Sequence, residues 1–127
     1  MDDILYREEI LDHYYSSRHR GRLDSPDLSA DLDNPLCGDR IHIELELDAE
    51  GRIGRVRFDG HGCAISQAAA SMLAEHVEGR PVDEVRRFSA DDMVRLLGIP
   101  LSLTRLKCGL LAWRALQQVL PDDPPAT

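Results

Sequence analysis

The sequence lacks long hydrophobic runs and an excess of positive charge. Although 43% of its 127 residues are hydrophobic, no stretch approaches the roughly 18 consecutive apolar residues that a membrane-spanning helix needs. Lys and Arg number 15 against 23 Asp and Glu, which gives a formal net charge of −8. Because an acidic surface repels phosphate groups, both nucleic acid and membrane are unfavourable partners. We expect a soluble, globular protein.

A secretory signal, internal repeats and low-complexity tracts are also missing. The first residues, Met1-Asp2-Asp3, are acidic and lead directly into an amphipathic pattern, so we expect a cytoplasmic protein. Cysteine is scarce, with only Cys37, Cys63 and Cys108, and no Cys-x-x-Cys motif occurs. An odd number of dispersed cysteines in a cytoplasmic chain favours metal ligands or reactive thiols over disulfides.

The hydrophobic period of the chain changes twice along one domain's length. Residues 2–16 predict a helix, followed by a polar loop. Apolar residues then alternate with polar ones over residues 40–48, which predicts a strand with one face buried and one in water. Residues 53–58 predict the returning strand, with Gly54 marking a bulge, and residues 30–32 are a candidate third strand.

A helical period follows the strands to the end of the domain. Helices are predicted after Cys63, over residues 83–87, from a capping box at Ser89 to Leu97, and from Ser102 onward. The predicted apolar stripe of the last helix consists of Leu103, Leu106, Leu110, Trp113, Leu116 and Leu120. This order predicts an α+β fold with helices packed on one face of a small antiparallel sheet. Residues 1–120 are predicted to form a single domain and residues 121–127 a disordered tail.

Each cysteine lies in a context that predicts an exposed and activated thiolate. Cys37 lies in the turn-rich run NPLCGD, and Cys63 follows two glycines immediately before a predicted helix. Cys108 lies about two turns into the last helix. Backbone N–H groups at a helix N-terminus lower the pKa of a thiol, and glycine allows a ligand to approach closely. We therefore expect the three sulfurs to converge at one end of the sheet.

Three thiolates and the Asp39 carboxylate would make a four-coordinate metal site. Zinc accepts tetrahedral sulfur and carboxylate ligands. Iron–sulfur clusters also take thiolates, usually four, so a carboxylate in the fourth place would leave one labile corner. The alternatives are that any one cysteine is an inert buried residue and that Asp39 is a plain turn residue.

The histidines give a weaker signal than the cysteines. Because their neighbours are charged or lie on the polar face of a strand, His13, His19, His42 and His76 are predicted on the surface. His61 lies two positions before Cys63, where a surface role is favoured over that of a donor to the site.

Several blocks of this sequence resemble the IscU/SufU/NifU N-terminal family of iron–sulfur cluster assembly proteins. They cover most of residues 4–120 in the family's order. The blocks are Leu5-Tyr6 with Asp12-His13-Tyr14, NPLCGD from Asn34 to Asp39, GHGCAIS from Gly60 to Ser66, AAASM from Ala68 to Met72, and RLKCGLLAW from Arg105 to Trp113.

The resemblance implies a three-stranded α+β fold whose cysteines and Asp39 cluster at an exposed end. It implies a site that takes persulfide sulfur from a cysteine desulfurase of the SufS or IscS type and holds zinc or a transient [2Fe–2S] cluster. The implied metal ligands are Cys37, Asp39, Cys63 and Cys108, with the three cysteines as cluster ligands. Cys37 is the implied sulfur acceptor, and recipient apo-proteins are implied partners.

Two departures distinguish this chain within the family pattern. Lys107 stands before the third cysteine where IscU-type scaffolds carry His, as in SufU-type proteins, and Leu101-Ser-Leu-Thr-Arg105 replaces the IscU-type chaperone motif. The second and third cysteines are 108 − 63 = 45 positions apart, close to the IscU type and shorter than the SufU type. The motifs are SufU-like and the length is IscU-like.

Three functions are consistent with these observations. The leading hypothesis is a sulfur acceptor and scaffold for iron–sulfur cluster assembly, whose enzymatic role is at most that of a zinc-dependent sulfurtransferase partner of a desulfurase. The second is a protein-binding module in which zinc only stabilises the fold. The third, a thiol-dependent hydrolase or redox enzyme, is disfavoured because no convincing Cys–His pair is present.

Overall fold

A helix, three strands and four further helices follow one another in the computed structural model, which describes residues 8–34 and 38–121. The elements are α1 (Glu8–Tyr15), β1 (Leu28–Asn34), β2 (Asp39–Leu47), β3 (Ile53–His61), α2 (Ala64–Val77), α3 (Val82–Arg86), α4 (Ala90–Leu97) and α5 (Leu103–Val119). The predicted α+β class is confirmed. The starting residues of the predicted first helix and most of the predicted tail lie outside the described residues, so the tail remains a prediction.

The sheet is antiparallel with β2 in the centre, flanked by β1 and β3. The candidate third strand is real and extends beyond residues 30–32 in both directions. Glu46 of β2 faces Arg55 of β3, whereas the next residue, Leu47, faces Ile53. Gly54 is therefore the extra residue of a bulge, as its position in the sequence predicts.

The core lies between the inner face of the sheet and the helices α2 and α5. Ile41, Ile43 and Leu45 of β2 point into it, together with Val56 and Phe58 of β3. The helix α2 packs against α1, α4, α5 and β3, and it is buried on nearly all sides. Helices cover this one face of the sheet, as predicted.

The predicted apolar stripe of α5 is partly wrong. Leu103 is 83% exposed, and Leu106 and Leu110 are only half-buried. The buried face instead carries mostly small residues: Cys108, Gly109, Leu111, Ala112, Ala115 and Leu116. A Cβ atom on Gly109 would lie 2.9 Å from Leu97 Cδ1, so the small face lets α5 approach α4 more closely than a leucine stripe would.

Part of the outer face of the sheet is covered around Glu44, contrary to the predicted solvated face, whereas Asp31, Arg40 and Asp59 on that face are exposed as predicted. The segment after α1 runs along β3, where the Phe58 N–H donates to the His19 carbonyl and the Gly21 N–H donates to the Phe58 carbonyl, each at 2.9 Å. The chain then crosses to β2, where the Leu23 N–H donates to Glu44 Oε1 at 2.7 Å. Glu44, predicted to point into water, is 6% exposed as a result.

The prediction of four surface histidines is wrong for His19, which is buried, and the other three are only partly exposed. His19 is 5% exposed, and His42 lies between the carboxylates of Asp31 and Glu44. The other two are half-buried: the His13 ring is hydrogen-bonded to the Ser71 hydroxyl, and His76 packs on the Phe88 ring. Periodicity along one element does not reveal which other segment covers its polar face.

Candidate metal centre

Asp39 begins β2, and its carboxylate points toward the start of α2. The side chain is 1% exposed, and its Oδ1 accepts a hydrogen bond from the Cys63 N–H at 2.8 Å. The first backbone N–H groups of a helix have no acceptor within the helix. The Asp39 carboxylate supplies an acceptor for one of them, the N–H of Cys63. The hydrogen bond fixes the carboxylate beside the Cys63 side chain.

Cys63 is the N-cap residue of α2, and Cys108 lies in the second turn of α5. Cys63 Sγ lies 3.6 Å from Asp39 Oδ2. One ligand atom from each of Asp39, Cys63 and Cys108 lies within 4.8 Å of those of the other two. Cys63 is half-buried, but Cys108 is 4% exposed, so the prediction of an exposed thiol is wrong for Cys108. The predicted convergence of these two cysteines with Asp39 is confirmed.

Two glycines allow β3 to pass close to Asp39. Gly62 has φ +138°, and a Cβ atom there would lie 2.1 Å from Asp39 Oδ1. Gly60 has φ +155°, and its Cβ atom would lie 2.1 Å from the Arg40 carbonyl oxygen. Both the backbone conformation and the close approach require glycine here. The glycines of the motif GHGC thus leave room for the Asp39 carboxylate, in addition to preceding Cys63.

The charge and spacing of these groups fit a cation. No Lys or Arg of residues 8–34 and 38–121 forms an ion pair with the Asp39 carboxylate, and a buried carboxylate without a counter-charge is costly. Ligands of a tetrahedral zinc ion with bonds of about 2.3 Å lie roughly 3.8 Å apart. The ligand atoms of the three residues lie within 4.8 Å of one another, so a shortening of these distances by about 1 Å would give the spacing of zinc ligands.

The other residues singled out from the sequence fall into two groups. Cys37 lies outside the described residues, so its roles as a metal ligand and sulfur acceptor remain predictions. His61 and Lys107 are exposed beside the site, and neither belongs to the three-residue cluster found in the described part of the chain.

Sequence reasoning missed Ser66, which supports the site from the first turn of α2. Its hydroxyl donates to the Cys63 carbonyl at 3.0 Å and is fully buried. A serine three residues after the N-cap position is the signal that could have identified it.

Comparison with known proteins decides the family. The family model described as the NifU-like N terminal domain matches residues 5–122. The chain belongs to this family. The NifU-like domain therefore includes all the elements described above, together with Cys37.

Relatives in the NifU-like family carry two kinds of name. The chain is 32% identical to the zinc-dependent sulfurtransferase SufU of Bacillus subtilis, with 91% of this chain and 89% of the relative covered. It is 30% identical to the iron–sulfur cluster assembly scaffold protein IscU of Escherichia coli K12, with 94% of each covered.

Solved structures of the family share the fold. The protein FiSufU of Fervidobacterium islandicum AW-1 superposes with a TM-score of 0.84 and 26% identity, covering 95% of this chain and 100% of that one. The N-terminal part of a NifU-like protein from Brucella abortus gives a TM-score of 0.72 at 25% identity, covering 91% and 92%. In the described part of this chain, no helix combines the length and hydrophobicity needed to cross a membrane.

Proposed function

We propose that this NifU-like protein is an iron–sulfur cluster assembly protein that accepts sulfur and holds a metal at Asp39, Cys63 and Cys108. The observation that carries the proposal is the meeting of these three ligand groups within 4.8 Å in a chain whose relatives are named for cluster assembly and zinc-dependent sulfur transfer. The protein accepts sulfur from a cysteine desulfurase, serves as the scaffold for cluster assembly and delivers its cargo to recipient apo-proteins.

The chemistry of the ligand set supports either zinc or iron as the bound metal. Two thiolates suit both ions, while the carboxylate is a harder ligand that binds iron less tightly than a third thiolate would. In this proposal Cys37 completes the set. A [2Fe–2S] cluster at this position is cargo, which a labile carboxylate corner would help to release.

Sulfur transfer in this proposal is a thiol exchange at Cys37. The Cys37 thiolate attacks the outer sulfur of the desulfurase persulfide, a new S–S bond forms on Cys37, and the bond between the two desulfurase sulfurs breaks. The desulfurase cysteine leaves as a thiolate, so the step needs no external oxidant. The support for Cys37 is its place in the NPLCGD motif, three residues after the edge strand β1 by number and two before Asp39.

Persulfide formation tests the proposed acceptor directly. The protein is incubated with a cysteine desulfurase and cysteine, and intact mass measurement is expected to show the addition of one sulfur atom. Cys37→Ser and Cys37→Ala should both abolish the addition of sulfur. The control variant Lys107→Gln should still accept it. Equal sulfur loading of wild type and Cys37→Ser would remove Cys37 from this role.

Metal analysis distinguishes the two forms of the proposal. Protein purified without oxygen is analysed for zinc, iron and sulfide and by ultraviolet–visible spectroscopy. Colourless protein with one zinc per chain supports sulfur relay, and brown protein with iron and sulfide supports the scaffold role. Protein that binds neither zinc nor a cluster after reconstitution would contradict both.

A further inference from the structure

A groove of about 380 Å³ opens beside the metal centre. The residues that line it include Tyr14 and Tyr15 at the end of α1, Arg20, Gly62 and Gln67. Gly62 is the neighbour of Cys63, so the groove adjoins the proposed site without containing any of its ligands. The Tyr15 ring is 76% exposed and lies edge-on to that of Tyr14, with ring centres 4.9 Å apart.

Arg20 supplies a fixed positive charge to this groove. Its guanidinium lies 5.0 Å from the centre of the Phe58 ring and donates to the carbonyls of Tyr14 and Ser16 and to Gln67 Oε1. These bonds use three of the five N–H donors of an arginine. No carboxylate of residues 8–34 and 38–121 forms an ion pair with Arg20, so its charge is uncompensated there.

Gln67 supplies a second donor to the same groove. The residue is 3% exposed, and its Nε2 is buried without a hydrogen-bond partner among the described residues. The amide orientation is determined by Arg20, which can only donate and therefore requires Oε1 on its side. An unsatisfied buried donor is costly, and an acceptor supplied by a ligand would remove that cost.

We propose that this groove binds the carboxylate of a ligand, which accepts hydrogen bonds from Arg20 and Gln67 Nε2. One fixed positive charge matches a monovalent carboxylate better than a divalent phosphate, particularly in a chain with a net charge of −8. The exposed ring of Tyr15 provides an apolar surface for the rest of the ligand. The site depends neither on a bound metal nor on sulfur transfer.

The side-chain amide of Gln67 reports on this site directly. In ¹⁵N-labelled protein, its NH₂ signals are assigned by their loss in Gln67→Met. Titration with N-acetylphenylalanine should shift these signals, while those of Gln117, whose amide already donates to the Val85 and Phe88 carbonyls, should remain in place. The neutral compound N-acetylphenylalaninamide should cause no shift. Comparison of the binding of acetate with that of N-acetylphenylalanine distinguishes a free small acid from the C-terminal carboxylate of a peptide chain as the ligand.

Variants and a competing anion make the proposal falsifiable. Arg20→Met and Gln67→Met should each weaken binding about tenfold or more, the loss expected for a charge-assisted or buried hydrogen bond. Arg18→Met is the matched control, because Arg18 is exposed and is not among the groove residues. Dispersed backbone amide signals confirm that each variant is folded. The proposal is overturned if neither acid shifts the Gln67 signals, if the neutral amide shifts them equally, or if inorganic phosphate binds more tightly than both acids.

Discussion

Asp39 and Cys63 share a space that is open only because residue 62 has no side chain. The carboxylate accepts the Cys63 N–H at 2.8 Å, and a Cβ atom on residue 62 would lie 2.1 Å from the same oxygen. The absence of a side chain at residue 62 therefore leaves room for the Asp39 carboxylate, the hardest ligand of the metal centre. The effect of a Cβ atom at this position on metal binding can be measured against the same substitution at a glycine with a similar φ and open surroundings.

Gly62→Ala is expected to weaken zinc binding roughly 10–100-fold, because displacement of a residue that supports a ligand typically has this effect. Gly21→Ala is the matched control: the φ of Gly21 is +125°, and nothing lies within 4 Å of the position that an added Cβ atom would take. Both variants should lose about 1–3 kcal/mol of stability, because residues with a side chain rarely adopt such positive φ values. Competition with a chromogenic chelator measures the affinity, and equal zinc affinities in the two variants would contradict the role of Gly62.

Glu44 is the second residue whose surroundings predict a measurable effect. Burial would raise the pKa of this carboxyl, but the Leu23 N–H, His42 and Arg22 outweigh it and hold the pKa below the ordinary value of 4.5. Because the folded pKa is depressed, the contribution of Glu44 to stability is present above pH 4.5 and is lost as the pH falls through the folded value.

Glu44→Gln should lower the free energy of unfolding at pH 7 by about 1–3 kcal/mol, since the amide leaves buried partners unsatisfied. The difference from wild type should shrink as the pH falls below 4.5. Glu50→Gln, at a side chain that is 79% exposed, should change little at either pH. Urea unfolding at pH 7 and pH 3.5 makes the comparison, and a Glu44→Gln effect independent of pH would rule out the ionised carboxylate as its source.

Among the elements, α4 shows most directly how local sequence fixes a helix start. The Ser89 hydroxyl accepts from the Asp92 N–H, and the Asp92 carboxylate accepts from the Ser89 N–H. At the other end, Gly98 takes the left-handed conformation at φ +69°. These bonds help to hold the pKa of Asp92 below its ordinary value, together with the Arg95 side chain.

Ser89→Ala should therefore cost about 1 kcal/mol of stability, the usual effect of removing an N-cap hydroxyl. Ser17→Ala, at an exposed position outside any helix, is the control and should be neutral. Thermal unfolding followed by circular dichroism is the measurement. A Ser17→Ala shift as large as that of Ser89→Ala would show that the cap contributes nothing specific.

At the scale of the whole molecule, most of the core lies apart from the metal centre. The buried cluster extends from Ile10 of α1 through the sheet to Leu120; Cys108 belongs to it and Cys63 packs against it, whereas Asp39 does not contribute. A domain with such a core differs from small metal-dependent folds, which unfold when the metal is removed.

Chelation should therefore leave the helices and sheet intact. Treatment of zinc-loaded protein with EDTA is expected to preserve the far-ultraviolet circular dichroism spectrum. The melting temperature should fall only because the folded state loses the stabilisation that bound zinc gives it. Cooperative loss of the helical signal at 25 °C would instead favour the alternative in which zinc stabilises a protein-binding module.

The sequence by itself predicted the elements and the chemistry of the site. Alternation identified the central strands, Gly54 identified the bulge, and the capping box at Ser89 identified a helix start, because these features depend on neighbouring residues. The contexts of Cys63 and Asp39 were also readable, since a glycine-flanked cysteine before a helix and an acid after a turn are local patterns.

Tertiary structure alone decided which faces are covered and which side chains meet. It buried Glu44 under the loop that follows α1 and buried His19 within that loop, and it turned the small face of α5 inward, leaving Leu103 in water. It also brought Arg20 to Gln67, 47 positions away in sequence. Such pairings depend on how distant segments pack, and burial of a polar group is determined by the segment that covers it rather than by its own neighbours.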